Sequence, residues 1–441
     1  MRWVVLILAA MLALPTPATA ATVRSVRDAF YFGYPVTETI RTLAALEGQA
    51  QRNGRTTVNR LAHRTTLAGP SDRAVTAPNN DTLYSSSWLD VSGGPVILTI
   101  PALPGRYHSV AILDVFTDNQ AVLGTRANGS AGGRYYLAGP RWRGRAPAGA
   151  TLVRLPVEEA WMIVRVLVDG PADLPAAIAA QQQFSLTATA PVVARLPTTA
   201  PNAAGNPEGF LDRVNETLGR GPLPPAMAKQ ARTLAAAGIR PGERGAFSRL
   251  PRSVQAVWRA QLPQLEASLR GGLADVGVKR AGWVYPAPGL GRFGNNGLYR
   301  SRIALAGLGA LPIEEATYLT AVSDAAGQPL DGAHSYRLHV PADVPVDGFW
   351  SVTMYAREAD GRTYLVANPI DRYSIGNRTP GLKRNGDGSI DLILGSAAPA
   401  AGTSNWLPTP AGSFRVSFRA YLPRAPFVRG TFVMPAIERV P

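Results

Sequence analysis

Punctuation constrains this chain more than any other feature. Forty-four Gly and 38 Pro are spread through its 441 residues, well above ordinary usage. A chain interrupted this often forms short strands and turns more readily than a bundle of long helices. Short apolar runs stand between the interruptions. They are Val96–Ile100, Val110–Phe116, Tyr135–Leu137 and Ile163–Val168, then Tyr336–Val340, Phe349–Ala356, Thr363–Ala367, Ser389–Leu394 and Phe414–Tyr421. The apolar fraction, 46%, is enough to bury sizeable cores and excludes wholesale disorder. At roughly 150 residues per domain, the length predicts two or three domains.

The two β-textured regions flank a different one. In Pro171–Gly271, pieces rich in Ala, Gln and Leu alternate with Pro. This predicts short helices at Asp173–Gln183, Glu208–Leu218, Pro225–Ala237 and Arg252–Arg270. Two further helices are expected, at Val23–Glu47 with a break at Gly33-Tyr34-Pro35, and over Leu298–Leu319. The β regions also echo each other. Leu98-Thr-Ile-Pro101-Ala matches Leu338-His-Val-Pro341-Ala, and Gly133–Pro140 resembles Gly361–Pro369. Two echoes in one order predict a duplicated β unit, each copy with its own core.

The start of the chain reads as an address. Arg2 precedes an uncharged run from Trp3 to Leu14, and Ala18-Thr19-Ala20 forms a small-residue cleavage site. This is the pattern of a secretory signal peptide over residues 1–20. It predicts export to the periplasm or beyond, with no transmembrane span after cleavage. The formal net charge is +15, but the basic residues are scattered, with only three Lys among 45. A nucleic-acid partner calls for a stripe or a known fold, so none is expected.

Chemistry-bearing motifs are few. Zero Cys excludes disulfides, thiolate metal sites and a cysteine nucleophile. Gly289-Leu-Gly291-Arg-Phe-Gly294 follows Tyr285-Pro-Ala-Pro288, which cannot be a central strand, so it reads as a loop and not a dinucleotide site. Asn385–Asp391 resembles a calcium loop but has Lys383 and Leu394 at its ends, and a tight turn explains it better. The four His show no metal spacing, and His108 is placed on a solvent-facing strand position. No cofactor and no metal are expected.

One segment stands out: Ala77-Pro-Asn79-Asn-Asp81-Thr-Leu-Tyr84-Ser-Ser-Ser-Trp88-Leu-Asp90. With Gly105-Arg106-Tyr107, Asp114 and the Tyr31–Pro35 start, it resembles the bacterial family catalogued as domain of unknown function 1254. Phe349–Tyr355, Asn368–Gly376, Arg378–Gly381 and Ser404–Gly412 resemble the partner family, domain of unknown function 1214. Ala77 and Asn296 stand where the family pattern has Arg and Asp, each removing a charge. The resemblance implies a mainly β fold with a helical insert: two β-sandwich, jelly-roll-like domains connected by short helices. The boundaries are residues 21–170, 171–320 and 321–441. It implies no established reaction.

Candidate ligand-binding residues follow from these motifs. In the first β region they are Asn79, Asp81, Tyr84, Trp88, Arg106 and Asp114. In the second they are Tyr355, Asn368, Arg372, Tyr373, Arg378, Asn405 and Trp406, with Arg300 between the regions. Asn79 and Asp81 either close an Asx-turn or receive hydroxyls and cations. Tyr84 and Trp88 offer flat faces with polar edges. Asn405 and Trp406 fit a loop plug as well as a platform. The leading expectation is an exported protein that binds a glycan or small polar ligand. A hydrolase or lyase using Asp81, Asp114 and a His and an assembly role are the alternatives. Homo-oligomerisation is compatible with each.

Overall fold

The computed structural model describes residues 17–73, 75–192, 194–200, 204–271, 277–359 and 362–440, so the expected leader lies largely outside the described residues. Helix α1 (Pro17–Arg52) leads into β1 (Ala62–Arg64), β2 (Thr82–Asp90), β3 (Val96–Ile100), β4 (His108–Leu113), β5 (Asn119–Gly124), α2 (Thr125–Asn128), β6 (Gly133–Ala138), β7 (Ala150–Arg154), β8 (Glu159–Leu167), α3 (Leu174–Gln181) and β9 (Ser185–Ala188). The middle holds α4 (Pro207–Leu218), α5 (Pro225–Thr233) and α6 (Arg252–Gly271). Then come β10 (Gly277–Arg280), β11 (Trp283–Pro286), α7 (Gly297–Ala306), β12 (Ala316–Ala321), β13 (Ser335–Val340), β14 (Trp350–Arg357), β15 (Thr363–Tyr364), β16 (Ser374–Gly376), β17 (Ile390–Gly395), β18 (Trp406–Pro408), β19 (Phe414–Tyr421), α8 (Ala425–Val428) and β20 (Ile437–Val440).

Among the described residues the strands form four sheets, so the protein is mostly β with helical parts. The first half carries β1-β2-β8-β4-β5 and β7-β6-β3-β9. The second carries β10-β11-β12-β19-β14-β15, with β16 also on β14, and β18-β17-β13-β20. The orders repeat. β2-β8-β4-β5 corresponds to β12-β19-β14-β15, and β7-β6-β3-β9 to β18-β17-β13-β20. Even the parallel pairs correspond, β6 with β7 and β17 with β18. This supports the duplicated unit. The first sequence echo falls on equivalent strands, β3 and β13. The second does not, since the counterpart of β6 is β17 and not β15; it is a coincidence of a Gly- and Pro-rich chain.

Inward side chains of each sheet pair share one apolar cluster. Leu98, Val110, Leu137, Met162 and Val164 belong to the first, and Leu338, Val352, Leu392, Val416 and Phe418 to the second. A third core joins α1 to the middle helices through Phe30, Phe210, Trp258 and Leu262.

Three local expectations are corrected. α1 is not broken at residues 33–35 but runs through Pro35. Proline lacks the N–H that would bond the Tyr31 carbonyl; that carbonyl instead accepts the Ser301 hydroxyl at 2.9 Å. Gly33 is there for packing, because a Cβ would sit 2.7 Å from Val214 Cγ2. The helix expected over Leu298–Leu319 stops at Ala306 and gives way to β12. Gly307, Gly309 and Pro312 break it, and Gly309 takes φ +80°. His108 does not face solvent. Its strand is central and buried on both faces, and its ring packs edge-on against Phe184.

Candidate functional site

The site lies between the two halves, where two sheets turn their second faces towards each other. Side chains alternate along a strand. On β19, Val416, Phe418 and Ala420 enter the core, which leaves Arg415, Ser417, Arg419 and Tyr421 on the opposite face. Register sets Tyr318 beside Arg419 and Thr320 beside Ser417 on β12, and Thr353 beside Ser417 and Tyr355 beside Arg415 on β14. In the first half, Met162, Val164 and Val166 of β8 are core, so Trp161, Ile163 and Arg165 face outward, with Tyr84 of β2 beside Arg165.

A seam joins these faces around the Pro-Asn-Asn-Asp loop. The Asp81 N–H donates to Asn79 Oδ1 at 2.6 Å, an Asx-turn. Asp81 Oδ2 accepts from Ser351 Oγ at 2.7 Å and from Tyr421 Oη at 3.2 Å. Asn79 Nδ2 donates to Tyr421 Oη at 2.6 Å, and Tyr355 Oη donates to the Pro78 carbonyl at 2.7 Å. Burial, then the Asp81 charge, holds the Tyr421 phenol well above its ordinary range, so it keeps its proton and donates.

Beside this seam is a cavity of about 500 Å³, flanked by α1, by β11 and by α7 with the 307–310 loop. That size fits a small molecule. Its walls carry seven arginines, Arg41, Arg64, Arg165, Arg270, Arg357, Arg415 and Arg419, and among the described residues no Asp, Glu or His. Arg41 pairs with Glu38 at 2.8 Å and Arg64 with Asp72 at 2.5 Å. Arg165, Arg270, Arg357, Arg415 and Arg419 make no ion pair within 4 Å among the described residues, although Glu315, Glu266 and Asp81 interact with Arg165, Arg270 and Arg419 from further away. Trp161, Ile163, Val284, Leu290, Ile303 and Leu308 supply apolar wall between them.

Two of these cations are deeply buried, Arg165 at 5% exposure and Arg419 at 4%. Charges so placed are normally paired, because desolvation costs several kcal/mol. Arg165 donates from Nη2 to the Gly309 carbonyl at 2.7 Å and from Nε to Tyr84 Oη at 3.3 Å. Its Nη1 has no acceptor among the described residues. Arg415 donates from Nη2 to Thr320 Oγ1 at 3.3 Å, and its buried Nε has no acceptor among the described residues. Burial, with the Arg419 and Arg357 charges adding and Tyr355 opposing, pushes the Arg415 guanidinium down to about 10.

The residues singled out from sequence are dispersed. Asn79 and Tyr84 line the cavity, and Asp81 and Tyr355 form the seam. Trp88 donates to Glu159, and Arg106 forms a bidentate pair with Asp173. Asp114 caps a turn by accepting from the Phe116 and Asp118 N–H groups. Arg300 is buried against Asp118 and the Gly294 carbonyl, and Asn296 caps α7. Asn368 and Asn405 bond loop backbone, and Arg372 grips the Thr403, Ser404 and Trp406 carbonyls. Tyr373 meets Asp371, Arg378 pairs with Asp169 of the first half, and Trp406 of β18 donates from Nε1 to the Gly395 carbonyl at the end of β17. Sequence reasoning missed the arginines. The available signal was the strict alternation Phe414-Arg-Val-Ser-Phe-Arg-Ala-Tyr421, with charge on every other outward position.

Fold and site together define a two-part β protein with an arginine-lined cavity between its halves. Residues 58–188 match the family described as Protein of unknown function (DUF1254), and residues 315–425 match Protein of unknown function (DUF1214). The chain belongs to the proteins that carry these two domains in tandem. No curated protein matches it in sequence. Among solved structures, the VPA0106 protein from Vibrio parahaemolyticus is similar at TM-score 0.71 and 24% identity, covering 95% of this chain and 100% of that one. An uncharacterised protein from Burkholderia cenocepacia aligns at TM-score 0.47 and 12% identity, over 96% and 95%. The first likeness extends over the whole fold and carries no function.

Proposed function

We propose that this protein binds a small organic acid in the cavity between its halves. The arginine lining, with no acidic side chain among its described residues, carries the reading. A carboxylate about 4 Å from one such guanidinium gains on the order of 4 kcal/mol at an effective dielectric near 20. A neutral glycan gains none of this. The apolar wall suits a hydrocarbon or aromatic body. Acid/base catalysis by Asp81 or Asp114 has weaker support, because the first is engaged by Ser351 and Tyr421 and the second in its turn. The leader pattern of residues 1–20 supports a periplasmic or extracellular setting. The shared apolar clusters support reading each half as a β-sandwich.

A thermal-shift screen of the purified protein against organic acids and neutral sugars tests the proposal. Binding at a hundredfold over Kd adds about 2.7 kcal/mol, a clear rise in Tm for the matching acid. A rise with neutral sugars and none with acids would overturn it.

A further inference from the structure

The arginines of the cavity are not equivalent, and their differences specify the ligand more closely. Arg419 is already satisfied by protein. It donates to Thr353 Oγ1 at 2.6 Å, to Tyr355 Oη at 2.5 Å and to the Ala77 carbonyl at 3.2 Å. Arg165 and Arg415 each keep a buried donor with no acceptor among the described residues, Nη1 in the first and Nε in the second. These two open donors belong to opposite walls. Arg165 stands beside Tyr84 on the first half. Arg415 stands beside Tyr355 on the second.

They are also spaced apart. The charge of Arg165 acts on Tyr318, and so does that of Arg419, so Arg165 lies near the Arg419 end of β19. The Arg415 backbone is four residues from Arg419 on the same strand, about 13 Å at 3.3 Å per residue, and its side chain leans back to Thr320, the neighbour of Ser417. At that end Arg357 adds a second cation that has no ion pair among the described residues. The saturated Arg419 and apolar side chains such as Ile163 and Leu290 line the same cavity. Open donors on two opposite walls suit two separate acidic groups. A molecule with an acidic group at each end and an apolar middle supplies them.

Resting on the organic-acid reading above, we infer that the ligand is a dianion, an apolar body carrying two terminal carboxylate-type groups, one received by Arg165 and the other by Arg415 with Arg357. Each end would gain a charge-assisted hydrogen bond, which is stronger than a neutral one.

Isothermal titration of the purified protein with the alkanedioates from butanedioate to dodecanedioate, each against the monocarboxylate of equal length, tests this. The expected result is a length optimum at which the dioate binds roughly tenfold tighter, or better, than its monocarboxylate, a gap of about 1.4 kcal/mol. Arg165→Met and Arg415→Met should each reduce the dioate to the monocarboxylate level. The wild-type comparison alone decides the matter if either variant fails to fold. Equal binding of dioates and monocarboxylates would overturn the dianion inference and leave the organic-acid reading standing. Binding of neither, alongside binding of a neutral probe, would overturn both.

Discussion

Arg415→Met should make the empty protein more stable while weakening its hold on an acid. Burial, with Arg419 and Arg357 adding to it, lowers the Arg415 guanidinium from its ordinary range to about 10. At 1.36 kcal/mol per pKa unit, keeping the charge there costs about 3 kcal/mol. Methionine retains an unbranched apolar stem and gives up one long hydrogen bond, to Thr320 Oγ1, worth about 1 kcal/mol. The net expectation is a gain of about 2 kcal/mol at neutral pH. Urea unfolding reads it as a higher midpoint at unchanged slope. The sign with pH is fixed too. The folded state has the lower proton affinity, so the penalty is full below about pH 10 and fades as pH rises beyond it. The difference between variant and wild type should therefore be flat across neutral pH. A destabilisation of about 1 kcal/mol or more would refute the reasoning, because it would mean that the protein itself compensates this charge.

Other consequences are equally open to measurement. Burial, then the neighbouring Asp118 charge, pushes the Asp114 carboxyl up to about 7; its stabilising protonation is complete below about pH 4 and lost as pH rises through 7. Asp114→Asn should flatten that decline in a pH series of urea midpoints. Asp81→Ala strands the Ser351 and Tyr421 hydroxyls in the seam and should cost about 2–4 kcal/mol, with calorimetry showing the two halves melting less cooperatively. Ser301→Ala removes the donor that serves the carbonyl left free by Pro35 and should lower stability by about 1 kcal/mol, seen as a small fall in Tm.

Much of the architecture could be read from residue order. Gly and Pro mark the ends of most strands, and the Leu98 and Leu338 runs fall on equivalent strands of the two halves. The Pro-Asn-Asn-Asp motif led to the seam and to one cavity wall, through Asn79 and Tyr84. The rest of the site was hidden by context. Arg415, Ser417 and Arg419 alternate with core residues as they would on a sheet with one wet face. Nothing in that pattern tells that a second sheet covers the face, and only the covering turns an ordinary surface arginine into a buried, unpaired one. Arg165 is separated from Arg415 by 250 residues of sequence, and no local spacing links them. Pro35 and His108 misled for the same reason. The hydroxyl of Ser301 and the neighbours of β4 come from distant parts of the chain.

The most direct test of the central claim is chemical. Protein purified at low salt from its native host would be denatured, and the released small molecules identified by negative-ion mass spectrometry beside an Arg165→Met/Arg415→Met double variant. An organic acid released in near-equimolar amount by the wild type and missing from the double variant is the predicted result. A neutral molecule held equally by both proteins would contradict the account.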